Sequence, residues 1–128
     1  MHTLYICTTC KKRQGEDIIN PLVGEQLYDA VTKALEGSDL SSCVVVKPQK
    51  CLSGCKRASV IALTSPEKYS YVFGDLDEGD ADTVLEITQT YVQQEEGVLK
   101  KTDRPEKLRQ SVLSRVPPFM NSLQGGDQ

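Results

Sequence analysis

Histidine is nearly missing from this 128-residue chain, His2 being the only one. That argues against a histidine-based catalytic triad and against a Rieske centre, which needs two histidines. Long apolar runs are missing as well. No window approaches the roughly 18 apolar residues of a membrane span. The N-terminal Met1-His2-Thr3-Leu4-Tyr5-Ile6 is too short for the apolar core of a secretory signal before Cys7 interrupts it. Nor is there an excess of positive charge. Fifteen Lys+Arg against 18 Asp+Glu leave a net charge of -3, with no global attraction for nucleic acid or an acidic membrane surface. The sequence shows no internal repeat, low-complexity tract, phosphate loop or paired catalytic carboxylates, so an independent enzyme is not indicated. The length suits one domain with a core that needs no disulfide staples.

What the chain does have is five cysteines. An odd count without an export signal favours reduced thiols in metal or redox use, and with them a cytoplasmic location. Four form two close pairs, Cys7-Thr8-Thr9-Cys10 and Cys51-Leu52-Ser53-Gly54-Cys55, separated by the 40 residues from 11 to 50.

Each pair follows a run that favours a strand. Thr3 to Ile6 is β-branched and aromatic with Leu4 and Ile6 on one face, and Cys43 to Lys47 is a β-branched run suited to a buried parallel strand. Between them, a polar loop over Lys11 to Asp17 leads to Asn20-Pro21, a helix-start signal with Asn as cap and Pro at the first helical position. Val23, Leu27, Ala30, Val31 and Ala34 continue at helical spacing, and Gly37 stops the helix. A strand-helix-strand unit of this kind brings the carboxyl ends of both strands to one sheet edge. Cys7 and Cys51 lie just beyond those ends.

Ser59 to Leu63 and Tyr69 to Phe73 read as an antiparallel hairpin. An acidic loop from Asp75 to Asp80 leads into a helix on Ala81, Val84, Leu85, Thr88, Tyr91 and Val92. Leu108, Val112 and Val116 fit one more short helix over Pro105 to Arg115, ended by Pro117-Pro118. The expectation is an α/β fold: a mixed four-stranded sheet flanked by helices in a domain of residues 1–100, a C-terminal helical extension over 101–118, and a disordered tail over 119–128.

A C-x-x-C after a strand serves a dithiol redox pair, half a zinc site or half an iron-sulfur site. Two pairs delivered to one edge supply four ligands, whereas a redox dithiol needs only two. Zinc ribbons generally keep their pairs about 15 to 20 residues apart, and this chain does not. Zinc on the same four thiols, as a structural or interaction module, remains the alternative to an iron-sulfur cluster. The dithiol enzyme is weakened because no proline lies between Pro48 and Pro66, where oxidoreductases of the thioredoxin fold carry a cis-proline.

The order strand, C-x-x-C, helix, strand, C-x-x-x-C, two strands, helix resembles the thioredoxin-like 2Fe-2S ferredoxins. More narrowly, Cys51-Leu52-Ser53-Gly54-Cys55, Tyr71-Val72-Phe73-Gly74-Asp75-Leu76 and Arg104-Pro105-Glu106-Lys107-Leu108-Arg109 resemble a subgroup of bacterial proteins predicted to bind metal. The resemblance covers roughly residues 3 to 118. It implies that Cys7, Cys10, Cys51 and Cys55 ligate a 2Fe-2S cluster, that one-electron transfer or redox or metal sensing is the activity, and that homodimers occur.

Lys11, Lys12, Arg13, Lys50, Lys56 and Arg57 flank the cysteines. They form either a solvated rim or a collar that steers an acidic redox partner and raises the reduction potential. Cys43 reads as a small apolar side chain rather than a ligand, and His2 as part of a mobile terminus. The acidic residues of 75–82 serve loop solvation and helix capping. Tyr69 and Tyr71 are packing residues rather than stacking platforms.

Overall fold

The computed structural model describes residues 2–50, 52 and 57–118. It opens with β1 (His2–Cys7), an interior strand whose Leu4 and Ile6 are buried on one face by the two-residue period of a strand. Two short strands, β2 (Lys12–Gln14) and β3 (Asp17–Asn20), follow and pair antiparallel with each other. The segment expected as a polar loop is therefore a hairpin. Gly15, at φ 64°, makes the turn.

The first helix, α1 (Val23–Glu36), starts two residues later than Pro21. The Asn20 side chain accepts a hydrogen bond from the Leu22 N–H at 3.0 Å. That forms a turn ahead of the helix instead of a cap on it. Val23, Leu27, Val31 and Leu35 are its buried stripe, and Gly37 follows its last turn as expected. After it, β4 (Val44–Gln49) runs parallel to β1, from His2 opposite Val44 to Cys7 opposite Gln49. The carboxyl ends of both strands thus reach one edge, as the strand-helix-strand reading requires.

On the other side of β1 lie β5 (Ile61–Thr64) and then β6 (Ser70–Phe73), each antiparallel to its neighbour. The second helix, α2 (Ala81–Gln93), begins beside a capping box in which Asp77 and Asp80 satisfy each other's backbone N–H groups. It buries Val84, Ile87 and Tyr91 against the core. The Lys68 ammonium donates to the carbonyls of Tyr91 at 3.1 Å and Val92 at 3.0 Å, filling acceptors that the helix end leaves open.

Two expectations are corrected here. The sheet has five strands rather than four, in the order β4-β1-β5-β6 and then β7 (Val112–Val116). The segment over 101–118 is not a helical extension: it makes 3-10 turns at Lys101–Asp103 and Glu106–Leu108 and then enters the sheet as β7. Leu108 is fully buried, and Lys107 reaches Asp80 at 2.6 Å, which anchors the segment to the start of α2. From that anchor the chain covers the edge of β6, which would otherwise carry unpaired backbone groups. The expected tail over 119–128 lies outside the described residues. No helix among the described residues is long and apolar enough to cross a membrane.

Candidate metal centre

Cys7 is the last residue of β1, and Cys10 follows one short turn later. The turn is held by backbone bonds to the two flanking strands. The Cys7 N–H donates to the Val60 carbonyl at 3.0 Å, and the Thr8 N–H to the Gln49 carbonyl at 2.9 Å. Both thiols are buried, at 1% and 2% exposure, in an apolar cluster with Val23, Ala58 and Val60. Leu52, Val72 and Leu113 pack against that cluster. Gly24, in the first turn of α1, rests on the same loop: a Cβ there would stand 2.3 Å from the Cys7 carbonyl oxygen. The positive end of the helix therefore lies against the thiol-bearing turn, where it favours negative charge.

The Cys10 thiol donates to the Cys7 sulfur across 2.9 Å. Burial pushes the Cys7 thiol up, but hydrogen bonds from the Cys10 side chain, the backbone of Leu52 and Thr9, and the Thr9 hydroxyl outweigh it. The net result is a thiol held below its ordinary value, so the fold favours its thiolate, the form that ligates metal.

Cys51 and Cys55 lie outside the described residues, as does Lys56. The residues on either side of Cys51 are described, and both touch the Cys7 sulfur. The Lys50 carbonyl stands 3.7 Å from it, and the Leu52 backbone hydrogen-bonds to it. Among the described residues no three His, Cys, Asp or Glu converge on one point. Cys7 and Cys10 are a converging pair. Two thiolates on one tetrahedral iron or zinc at about 2.3 Å lie about 3.8 Å apart. The observed separation is 2.9 Å, about 0.9 Å short of that spacing. In donor chemistry and in placement, these residues fit half of a tetrathiolate site.

Of the basic collar, Lys11 and Lys50 are exposed and Lys12 is half-exposed on β2, which also carries Arg13. Arg57 is committed elsewhere: its guanidinium grips Asp75, with Nε 2.8 Å from Oδ1 and Nη2 2.5 Å from Oδ2. That contact holds the Asp75 carboxyl below the usual range, against the opposing effect of burial. Asp75 is thus an anchor rather than part of the solvated acidic loop that the sequence suggests. The available signal was the Gly74-Asp75 dipeptide just after a strand.

Cys43 is half-buried against the main core, before β4 and so at the far end from Cys7. His2 is no mobile terminus, because it belongs to β1. Its Nδ1–H donates to the Cys43 carbonyl at 3.3 Å, and its Nε2 accepts from Lys68 at 2.9 Å. Tyr71 is buried, its hydroxyl accepting from the Leu99 N–H at 2.9 Å, and Arg115 lies over the Tyr69 ring, so both tyrosines are packing residues.

The fold is similar to that of a thioredoxin-like 2Fe-2S ferredoxin from Aquifex aeolicus, with a TM-score of 0.56 at 16% identity over 93% of this chain and 96% of that one. The wild-type thioredoxin-like 2Fe-2S ferredoxin from the same organism gives a TM-score of 0.56 at 15% identity, over 88% of this chain and 96% of that one. These likenesses establish a thioredoxin-like α/β fold. No curated protein matches the sequence. A family profile described as Protein of unknown function (DUF1636) matches residues 4–118, and the chain belongs to that family.

Proposed function

We propose that this protein holds a 2Fe-2S cluster on Cys7, Cys10, Cys51 and Cys55 and passes single electrons to and from a partner protein, as a carrier rather than an independent catalyst. The observation that carries the reading is the contact of both neighbours of Cys51 with the sulfur of Cys7. The thioredoxin-like fold shared with a 2Fe-2S ferredoxin supports it. When bound, such a cluster supplies a one-electron couple.

The chain's own residues prepare the site for negative charge and low water content. The N–H groups of Thr9 and Leu52 aim at the Cys7 sulfur, where they stabilise thiolate and tune ligand strength. Leu52, Ala58, Val60 and Leu113 wall the thiols with apolar surface, which strengthens those dipoles by lowering the local dielectric. We further propose that an acidic redox partner docks at the collar of Lys11, Lys12, Arg13, Lys50, Lys56 and Arg57, and that the protein works in the cytoplasm, including as a homodimer. Because Arg57 is neutralised by Asp75, the steering charge falls on the lysines and Arg13.

Purification without air tests the reading. The protein should be red-brown. Serine at Cys7, Cys10, Cys51 or Cys55 should bleach it, and Cys43→Ser should leave the colour intact. A colourless protein holding one zinc per chain would replace the electron carrier with a zinc-binding structural or interaction module. Colour that survives Cys10→Ser but not Cys43→Ser would overturn the ligand assignment.

A further inference from the structure

Among the described residues Asp75 is the one non-glycine residue in the left-handed region, at φ 63°. That conformation is held by a set of contacts that join segments far apart in sequence. The Asp75 N–H donates to the Arg57 carbonyl at 2.6 Å, while the Arg57 guanidinium forks onto the Asp75 carboxylate. The Ser111 hydroxyl donates to the same carboxylate at 3.3 Å, and the Ser111 carbonyl accepts from the Gly74 N–H at 3.0 Å. There is no room at Gly74 for a side chain. A Cβ would lie 2.7 Å from the Arg57 carbonyl oxygen and 2.9 Å from Leu113 Cδ1. Lys12 also acts electrostatically on Asp75 from β2.

The positions of these partners give the cluster its meaning. Lys12 follows Cys10 by two residues, and Arg57 follows Cys55 by two. Ala58, next to Arg57, packs with Cys7 and Cys10, and so does Leu113 of β7. Arg57 and Ser111, the residue before β7, therefore meet at one carboxylate, and Lys12 acts on it from β2. An isolated surface ion pair contributes little, but a forked arginine-carboxylate pair backed by main-chain bonds defines geometry.

We propose that Asp75 is a positioning residue for the thiol site. Through Arg57 and Ser111 it fixes the Arg57-Ala58 segment that packs against Cys7 and Cys10, and its negative charge offsets the arginine there. The proposal rests on reading the four cysteines as one site.

Two measurements on the full-length chain test it. The first is pulsed alkylation of metal-free protein, read cysteine by cysteine by mass spectrometry. Asp75→Asn keeps the shape of the side chain and tolerates left-handed backbone. It should raise the alkylation rates of the buried Cys7 and Cys10 about tenfold by local opening, with Cys43 unchanged at the opposite end of β4. Equal acceleration at Cys43, which signals global loosening, or no acceleration anywhere would overturn the proposal. The second is the reduction potential of loaded protein. Asp75→Asn should raise it and Arg57→Gln should lower it, because each removes one sign of charge. A purely structural role would move both variants in the same direction or neither, and that result would also overturn it. If the chain takes up no iron, the proposed function falls, while the alkylation result still decides this inference.

Discussion

Gly24 lets the first turn of α1 lie directly on the backbone of Cys7 and Thr8, with no space for a methyl group. Gly24→Ala should therefore cost about 1–3 kcal/mol, since a rigid backbone neighbour must move, and it should weaken metal uptake along with stability. Urea denaturation read beside bound metal checks this. Unchanged midpoints and full metal content would show that the helix does not press on the thiol turn. His2 gives a second residue-level expectation. Burial, with Lys68 beside Nε2, depresses its pKa below the ordinary 6.5. The neutral ring accepts from that ammonium, whereas a protonated ring would face it as a like charge. The unfolded chain thus takes up the proton first, so this contribution is complete above pH 6.5 and is lost as pH falls through the folded value. The urea midpoint should decline more steeply below pH 6.5 in wild type than in His2→Gln; parallel declines would contradict the assignment. His2 was misread from sequence because terminal position speaks for mobility, while the partners that order it, Cys43 and Lys68, are distant in sequence.

At the scale of elements, the C-terminal segment separates the fold as read from the fold as found. Leu108, Val112 and Val116 recur every four residues, which fits a helix, but Val112, Ser114 and Val116 also share one face of a strand. Over so short a stretch periodicity does not decide between them, and the unpaired edge of β6 does. Because Leu108 is a buried core residue, Leu108→Ala should destabilise the protein by about 2–5 kcal/mol in chemical denaturation. A loss below about 0.5 kcal/mol would mean the segment is an appendage on the surface. The β2–β3 hairpin is not legible in the sequence for a different reason: Lys12 to Gln14 has no apolar alternation, and only Gly15 marks its turn. The elements that place the first thiol pair were legible because β1 and α1 each bury one regular apolar face and Val44 to Val46 is a β-branched run. β4 is nevertheless the edge strand of the sheet with only Val44 buried, not the buried strand the run suggests. The start of α1 was read two residues early, since Asn20-Pro21 serves a turn before the helix as readily as its cap.

For the whole molecule, the proposed thiolate ligation would couple metal to folding. Metal-free protein should melt at a lower temperature than loaded protein, because a group bound only by the native state stabilises it. Equal melting temperatures would show that no metal is bound preferentially by the native state. The central claim is that folding gathers both thiol pairs around one iron-sulfur centre beside the carboxyl ends of β1 and β4. Its most direct test is elemental and acid-labile sulfide analysis of protein purified without air. The account predicts two irons and two sulfides per chain, with Cys7→Ser abolishing both. One zinc and no sulfide per chain would contradict it.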